Sequence, residues 1–257
     1  MLDVDYYRKF GFARCTDSLF SANEFSELEK ICRKIYSEHP DESSYLQSGN
    51  LHIKHPELLN YLLHDSVLDK AESVIGPNLG LWTTVLFYKA AGARFFFEWH
   101  TDFNQDDFYE DFLKLESTNM LIAVTPSTLE SGCVRYMPGT HLQRGHRRTG
   151  IPTYDQVKDL APDFYRAPTT DSPNWPQYVS LELQPNQCSF HDAHVLHSSD
   201  RNKSSHDRIL LSFWFFDTSL SGFSAAAKKY VASQSGARIH LRGRDEHGAC
   251  RISLVGS

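Results

Sequence analysis

The chain has 257 residues and a formal net charge of −6; 40% of its residues are hydrophobic and 23% are charged. That is the range of an ordinary soluble globular protein. The acidic balance argues against a nucleic-acid partner, and no apolar run approaches the ~18 residues needed to span a bilayer. The first residues, MLDVDYYRKFGF, lack the basic start and apolar stretch of a signal peptide. The five cysteines, Cys15, Cys32, Cys133, Cys188 and Cys250, are odd in number, widely spaced and contain no CxxC pair. A cytoplasmic protein with reduced thiols, and no zinc ribbon, is expected. Seventeen Phe, 12 Tyr and 4 Trp favour β structure and a sizeable core or pocket.

In chain order, the first predicted element is a helix opened by a capping box, Ser21 with Glu24, flanked by Phe20 and Phe25. Phe25, Leu28, Cys32, Ile35 and Tyr36 recur on one face. A second helix is predicted from Pro56, with an apolar face running from Leu58 to Ile75, and Gly76-Pro77 stops it. After Gly80 the pattern changes to short runs rich in β-branched and aromatic residues. They are Leu81 to Tyr88, Arg94 to Trp99, Met120 to Thr125, Cys133 to Met137, Val179 to Leu183, Cys188 to Leu196 and Ile209 to Phe216. Short strands after helices predict a mainly β fold with flanking helices. The expected architecture is a double-sheet β barrel with an N-terminal helical buttress. One domain over residues 1–257 is expected, with the buttress at 1–78, the barrel core at 79–217 and a C-terminal extension at 218–257, including a helix over Ala225 to Ala232. The stretches 103–116 and 142–178 read as lid or binding loops rather than strands. Asp106, Asp107, Glu110 and Asp111 form either a solvated face or an attractant for a cationic substrate. Arg144, His146, Arg147 and Arg148 either hold a carboxylate or phosphate or keep a lid soluble.

The chemical signal is His100-Thr101-Asp102 at the end of an aromatic strand. Strand side chains alternate, so His100 and Asp102 face one side and can grip one metal ion. A third ligand must come from elsewhere, and His191, His194 and His197 are on offer. Six residues of spacing put His191 on the same strand face as His197, whereas His194 points the other way unless the strand bulges. Two imidazoles and a carboxylate on one face of a metal leave three positions open, which suits Fe(II), a co-substrate and O2. Arg208, eleven residues after His197, can return beside the metal on the next strand. A buried guanidinium there can hold a carboxylate through two parallel hydrogen bonds.

These segments resemble the phytanoyl-CoA dioxygenase family of 2-oxoglutarate oxygenases, which includes ectoine hydroxylase. The resemblance lies in YYRKFGFARC…SANEFSELEKI, LFYKAAG…FEWHTD, ESGCVRYMPGTH and FHDAHVLHSSDRNKSSHDR, in that order. It implies a jelly-roll, cupin-like barrel (a double-stranded β-helix) with iron at one mouth. It makes His100, Asp102 and His197 the iron ligands, and Arg208 with Ser199 the holders of 2-oxoglutarate. It puts Asn119 and Thr83 at or near positions facing the co-substrate. A Trp often found near Asn119 in the family is replaced, with Leu121 in its place. The cofactors implied are Fe(II), 2-oxoglutarate and O2. The reaction is hydroxylation of a small-molecule substrate with release of succinate and CO2, and the carboxylate of Asp102 disfavours halogenation. The competing reading is a barrel of the same fold that binds a metabolite or protein partner without redox chemistry. A third, a zinc hydrolase on a cupin-like barrel, leaves Arg208 without a task. Phe95, Phe96 and Phe97 are expected in the core and pocket wall, and Cys133 and Cys188 as small buried apolar residues.

Overall fold

The computed structural model describes residues 1–38, 45–102, 107–144, 151–170 and 175–254. The expected features at Asp106, His146, Arg147 and Arg148, and parts of both lid stretches, lie outside those residues. The helices described are α1 (Val4–Phe10), α2 (Ala22–Ser37), α3 (Leu51–Lys54), α4 (Leu59–Leu62), α5 (Asp65–Ile75), α6 (Tyr109–Phe112), α7 (Tyr154–Val157) and α8 (Ala225–Ser233). The strands are β1 (Phe12–Cys15), β2 (Tyr45–Gly49), β3 (Leu79–Lys89), β4 (Phe97–His100), β5 (Ser117–Ala123) and β6 (Val134–Tyr136). They continue with β7 (Val179–Leu181), β8 (Cys188–Asp192), β9 (His197–Ser199), β10 (Arg208–Asp217), β11 (Ile239–Arg242) and β12 (Ile252–Ser253). None of the described helices is long and apolar enough to cross a membrane.

Among the described residues the strands form two sheets. The larger runs β1-β8-β5-β10-β3-β11-β12, with β2 also paired to β3, and the smaller runs β4-β9-β6-β7. This is the expected jelly-roll, built as two opposed sheets that are not hydrogen-bonded into a closed barrel.

Alternation along the strands sets which face does what. On β10, Ile209, Leu211, Phe213 and Phe215 join the main core with Leu28, Cys32 and Ile35 of α2 and Val67, Leu68 and Ala71 of α5. The helical buttress therefore covers the outer face of the large sheet. Arg208 and Leu210, offset by one, face inward to the cavity, as do Asn119 and Leu121 on β5 and His191 on β8. Phe190 and Met120, their neighbours, pack outward under the helices. Covered on both sides, β10 reads as an almost unbroken apolar run, as strands buried on both faces do.

Local chemistry fixes the buttress. The Ser21/Glu24 capping box forms as expected, with Ser21 N donating to Glu24 Oε2 at 2.9 Å. The second predicted helix is divided. His64 takes an extended conformation (ψ 133°) and caps α5, its Nδ1 accepting from Ser66 N at 3.2 Å. An apolar period does not reveal such an imidazole cap. Gly11 ends α1 at φ 84°, and a Cβ there would meet the ring of His141 at 2.5 Å. Only glycine allows that approach.

The C-terminal extension is integral to the packing. Helix α8 forms as expected, and its Ala227 and Val231 pack with Phe112, Leu115, Phe216 and Phe223. Asp111, one of the acidic residues, accepts from Ser224 N at 2.6 Å and Ser224 Oγ at 2.9 Å. That ties the start of α8 to α6. Among the described residues of 151–178, Val157, Ala161 and Tyr165 form a small buried cluster with Phe10 and Trp175 packed against it.

Candidate metal and co-substrate site

The ends of β4 and β9 bring the first two imidazoles together. His100 and His197 are direct cross-strand partners, with ring centroids 4.3 Å apart. Asp102 lies just past β4, its backbone N–H donating to the carbonyl of Ala193 at 2.9 Å. One ligand atom from each of His100, Asp102 and His197 lies within 4.8 Å of the others. The Nε2 of His197 is 3.5 Å from Asp102 Oδ1.

Backbone carbonyls fix the tautomers. His100 Nδ1 is 2.7 Å from Glu98 O, and His197 Nδ1 is 3.0 Å from Val195 O. A carbonyl only accepts, so each Nδ1 carries the proton and each Nε2 keeps its lone pair for a metal. Burial pushes the His197 imidazole down to about 3, so it is neutral, as a ligand must be. Burial also works to raise Asp102, but the imidazoles of His197, His191 and His100 outweigh it and hold the carboxyl well below the usual range. The donor set is two imidazoles and one carboxylate lining one cavity. That fits a divalent iron ion.

A second ring of residues orients the carboxylate. Asp102 Oδ2 is 3.1 Å from His191 Nε2 and 3.4 Å from Asn119 Nδ2. An ionised carboxylate only accepts, so His191 Nε2 donates and its Nδ1 accepts from the Tyr136 hydroxyl at 3.1 Å. Asn119 Oδ1 in turn accepts a short hydrogen bond from Ser212 Oγ.

Arg208 shares the cavity with these groups, as do Ser199 and the apolar side chains of Phe87, Phe97, Leu121 and Leu210. It is 1% exposed, and its Nη1 reaches Gly132 O at 3.5 Å. Gly132 has φ 75°, and a Cβ on it would meet Asp200 O at 2.3 Å. The glycine of ESGCVRYMPGTH thus lets the turn after β9 close against the anchor.

A family model described as phytanoyl-CoA dioxygenase (PhyH) matches residues 7–210. The chain belongs to the phytanoyl-CoA dioxygenase family. Its fold is shared by a non-haem alpha-ketoglutarate-dependent carbocyclase, SnoK, from nogalamycin biosynthesis. That protein is 22% identical over 84% of this chain and 83% of its own, with a TM-score of 0.62. EctD from S. alaskensis, solved with 2-oxoglutarate and 5-hydroxyectoine, is 18% identical over 84% of this chain and 75% of its own, at TM-score 0.63. The epimerase SnoN, solved with Fe3+, alpha-ketoglutarate and nogalamycin RO, is 16% identical over 84% and 82%, at TM-score 0.61. At these identities the likeness to solved structures is one of fold. None of the curated proteins matches the chain.

Within this family member, the structure gathers six of the seven residues put forward from the sequence: His100, Asp102, His197, Ser199, Arg208 and Asn119. Thr83 stands apart. It shares a strand face with Phe87, but its hydroxyl donates to Asn50 Oδ1 at 3.0 Å and it does not line the cavity. His191, read from the sequence only as a stand-in for His197, is instead the partner of Asp102. His194 lies off the cavity, and its backbone N–H donates to Asp192 Oδ1 at 2.7 Å. Phe97 is cavity wall, whereas Phe95 and Phe96 are exposed. Tyr136, Ser212 and Lys89 were not read from the sequence as site residues. Only Lys89 left a trace there, as a lone charge at the end of the aromatic run LFYK.

Proposed function

We propose that this chain is an Fe(II)- and 2-oxoglutarate-dependent dioxygenase that hydroxylates an unactivated C–H bond of a free small metabolite. The observation that carries the reading is the pair of Nε2 atoms and the Asp102 carboxylate turned to one point, with a buried guanidinium in the same cavity. His100, Asp102 and His197 would hold the iron, and Arg208 with Ser199 would hold the far carboxylate of 2-oxoglutarate. An iron held there would supply the redox chemistry that joins decarboxylation of 2-oxoglutarate to succinate and CO2 with delivery of one oxygen atom of O2 to the substrate. The chain's own groups position and shield. Asn119 and His191 keep Asp102 ionised and aimed. Arg208 offers a carboxylate two parallel N–H donors, and Phe87, Phe97, Leu121 and Leu210 keep water from the reacting centre. Asp102 occupies the place a halide would need, which supports hydroxylation over halogenation. No CoA-binding motif appears in the sequence, which supports a free metabolite over an acyl thioester.

The test is a screen of metabolites for stimulated succinate formation, followed by the mass of the product. One added oxygen atom is expected. A product lighter by two hydrogens would replace hydroxylation with desaturation or ring closure. His100→Ala is expected to lose turnover, and Arg208→Ala to lose it at ordinary 2-oxoglutarate concentrations. Full activity in both variants sinks the assignment, and so does turnover without O2.

A further inference from the structure

Two of the five cysteines face each other across a ladder, away from the metal and co-substrate cavity. Cys15 ends β1 and lies directly opposite Cys188, the first residue of β8. Opposed residues of an antiparallel pair share a sheet face, with their Cα atoms about 4.5–5.5 Å apart. That falls inside the roughly 4.4–6.8 Å over which a disulfide closes without backbone movement. Both thiols are free, and both are withdrawn from water at 0% exposure. They nevertheless sit at the rim of the large sheet. β1 is a four-residue strand at the end of the strand order, and Cys15 Sγ lies 3.9 Å from the carboxylate of Asp17, whose side chain is exposed. Local opening of a short edge strand costs far less than global unfolding and admits a molecule little larger than water.

The two sulfurs are chemically unequal. The Cys188 thiol donates to Cys15, the Asp17 backbone adds a second hydrogen bond, and the Lys70 ammonium contributes its charge. Together they outweigh burial and draw the Cys15 thiol down to about 6, which leaves it mostly thiolate at neutral pH. The same hydrogen bond, with burial, pushes Cys188 well above the ordinary thiol range, so it keeps its proton. Burial raises the other three, Cys32 to about 12 and Cys133 to about 11, with Cys250 also raised. Cys32 lies in α2, and Cys133 and Cys250 lie outside the strands.

We infer that Cys15 and Cys188 form a redox modification site, at which a small hydroperoxide converts the two thiols to a disulfide joining β1 to β8. The Cys15 thiolate attacks one peroxide oxygen, the O–O bond breaks, and the other oxygen takes a proton and leaves as water or an alcohol. The Cys188 sulfur then attacks the Cys15 sulfenic acid. Its S–H proton goes to the departing hydroxide, and water leaves as the S–S bond forms. In sum two thiols lose two electrons and two protons, and the peroxide takes up both. A dithiol reverses the change. The bond fixes the sheet edge to the strand that carries His191, the partner of Asp102.

The test uses the metal-free full chain, so its outcome is independent of the dioxygenase reading. After a small molar excess of hydrogen peroxide, two of the five thiols are expected to be lost to a thiol reagent in denaturant. The mass should fall by two hydrogens, and digestion should yield one cross-linked peptide pair holding Cys15 and Cys188. Dithiothreitol should restore both thiols. In Cys15→Ser the rate of thiol loss is expected to fall by about tenfold or more, as for loss of a thiol that is mostly thiolate at pH 7. In Cys188→Ser, dimedone is expected to trap a sulfenic acid at Cys15. Mapping the unaltered chain needs neither variant to fold. Survival of all its thiols, a cross-link between other cysteines, or undiminished thiol loss in Cys15→Ser overturns the inference.

Discussion

A carboxylate ligand is only as well aimed as the groups that hold its second oxygen. Here Asp102 Oδ2 is held by His191, whose ring is fixed by Tyr136, and by Asn119, whose amide is fixed by Ser212. Both chains of hydrogen bonds start from residues on the two opposed sheets, so the aim of Asp102 is set by the packing of the fold. His191→Phe keeps an aromatic ring of similar size and removes the donor. Affinity for Fe(II) is expected to fall about 10–100-fold, the usual cost of losing an outer-shell partner. Competition against a metal-binding dye measures it. Retained affinity would mean that Asn119 and the backbone anchor to Ala193 suffice to orient Asp102.

Above single residues, Arg144 joins the segment before β5 to the end of β8. Its guanidinium bonds Glu116 at 2.9 Å and the Leu113 carbonyl at 3.1 Å, and reaches Asp192 of β8 at 3.6 Å. One side chain of the basic cluster is therefore a tie between both lid stretches and the large sheet. Burial pushes the Asp192 carboxyl up to about 7, although Arg144 draws it down. The folded chain then keeps a proton that the unfolded chain has released above about pH 4. The stability this group lends is full at low pH and is lost as pH rises through about 7. Arg144→Met removes the charge that eases this ionisation. The variant should be less stable by about 1–3 kcal/mol near pH 8, with a smaller deficit near pH 5.5. Thermal melts at the two pH values decide it, and a deficit independent of pH would show that Asp192 plays no part. At this scale the sequence was legible where periods are local. The α2 capping box, the apolar faces of the buttress and the alternation that sends Arg208 inward and Ile209 outward were all there to read. It was illegible where two sheets meet. Cys188 to Leu196 reads as one strand, yet β8 ends at Asp192 and a turn carries His197 onto the other sheet. That corner puts His191 and His197 side by side, with ring centroids 4.7 Å apart. No strand period encodes such a placement. The same holds for Lys89 and Arg208, opposite partners on β3 and β10 whose adjacency is a matter of register between strands over a hundred residues apart.

For the whole molecule, the consequence is that the site spans two sheets whose strands, among the described residues, do not pair into one closed ladder. His100, His197 and Ser199 belong to the small sheet, whereas Arg208, Asn119 and His191 belong to the large one. The apolar contacts of Val134 on the small sheet with Leu121 and Leu210 on the large one pack beneath the cavity. In the proposed reading, a metal alone would engage the small-sheet end and Asp102, and a dicarboxylate that also reached Arg208 would tie one sheet to the other. Ligands that bind only the folded state stabilise it by mass action, by about 2.7 kcal/mol at a hundredfold excess over Kd. In a chain of this size that corresponds to a rise of about 5–10 °C in Tm. Fe(II) with 2-oxoglutarate under anaerobic conditions is therefore expected to raise Tm by about that much over Fe(II) alone. In Arg208→Ala the rise from Fe(II) should persist and the further rise from 2-oxoglutarate should vanish at the same concentration. Differential scanning calorimetry reads both increments. If the variant kept the full second increment, the co-substrate would not be bridging the sheets through Arg208, and the guanidinium would be a structural cation of the β10 ladder.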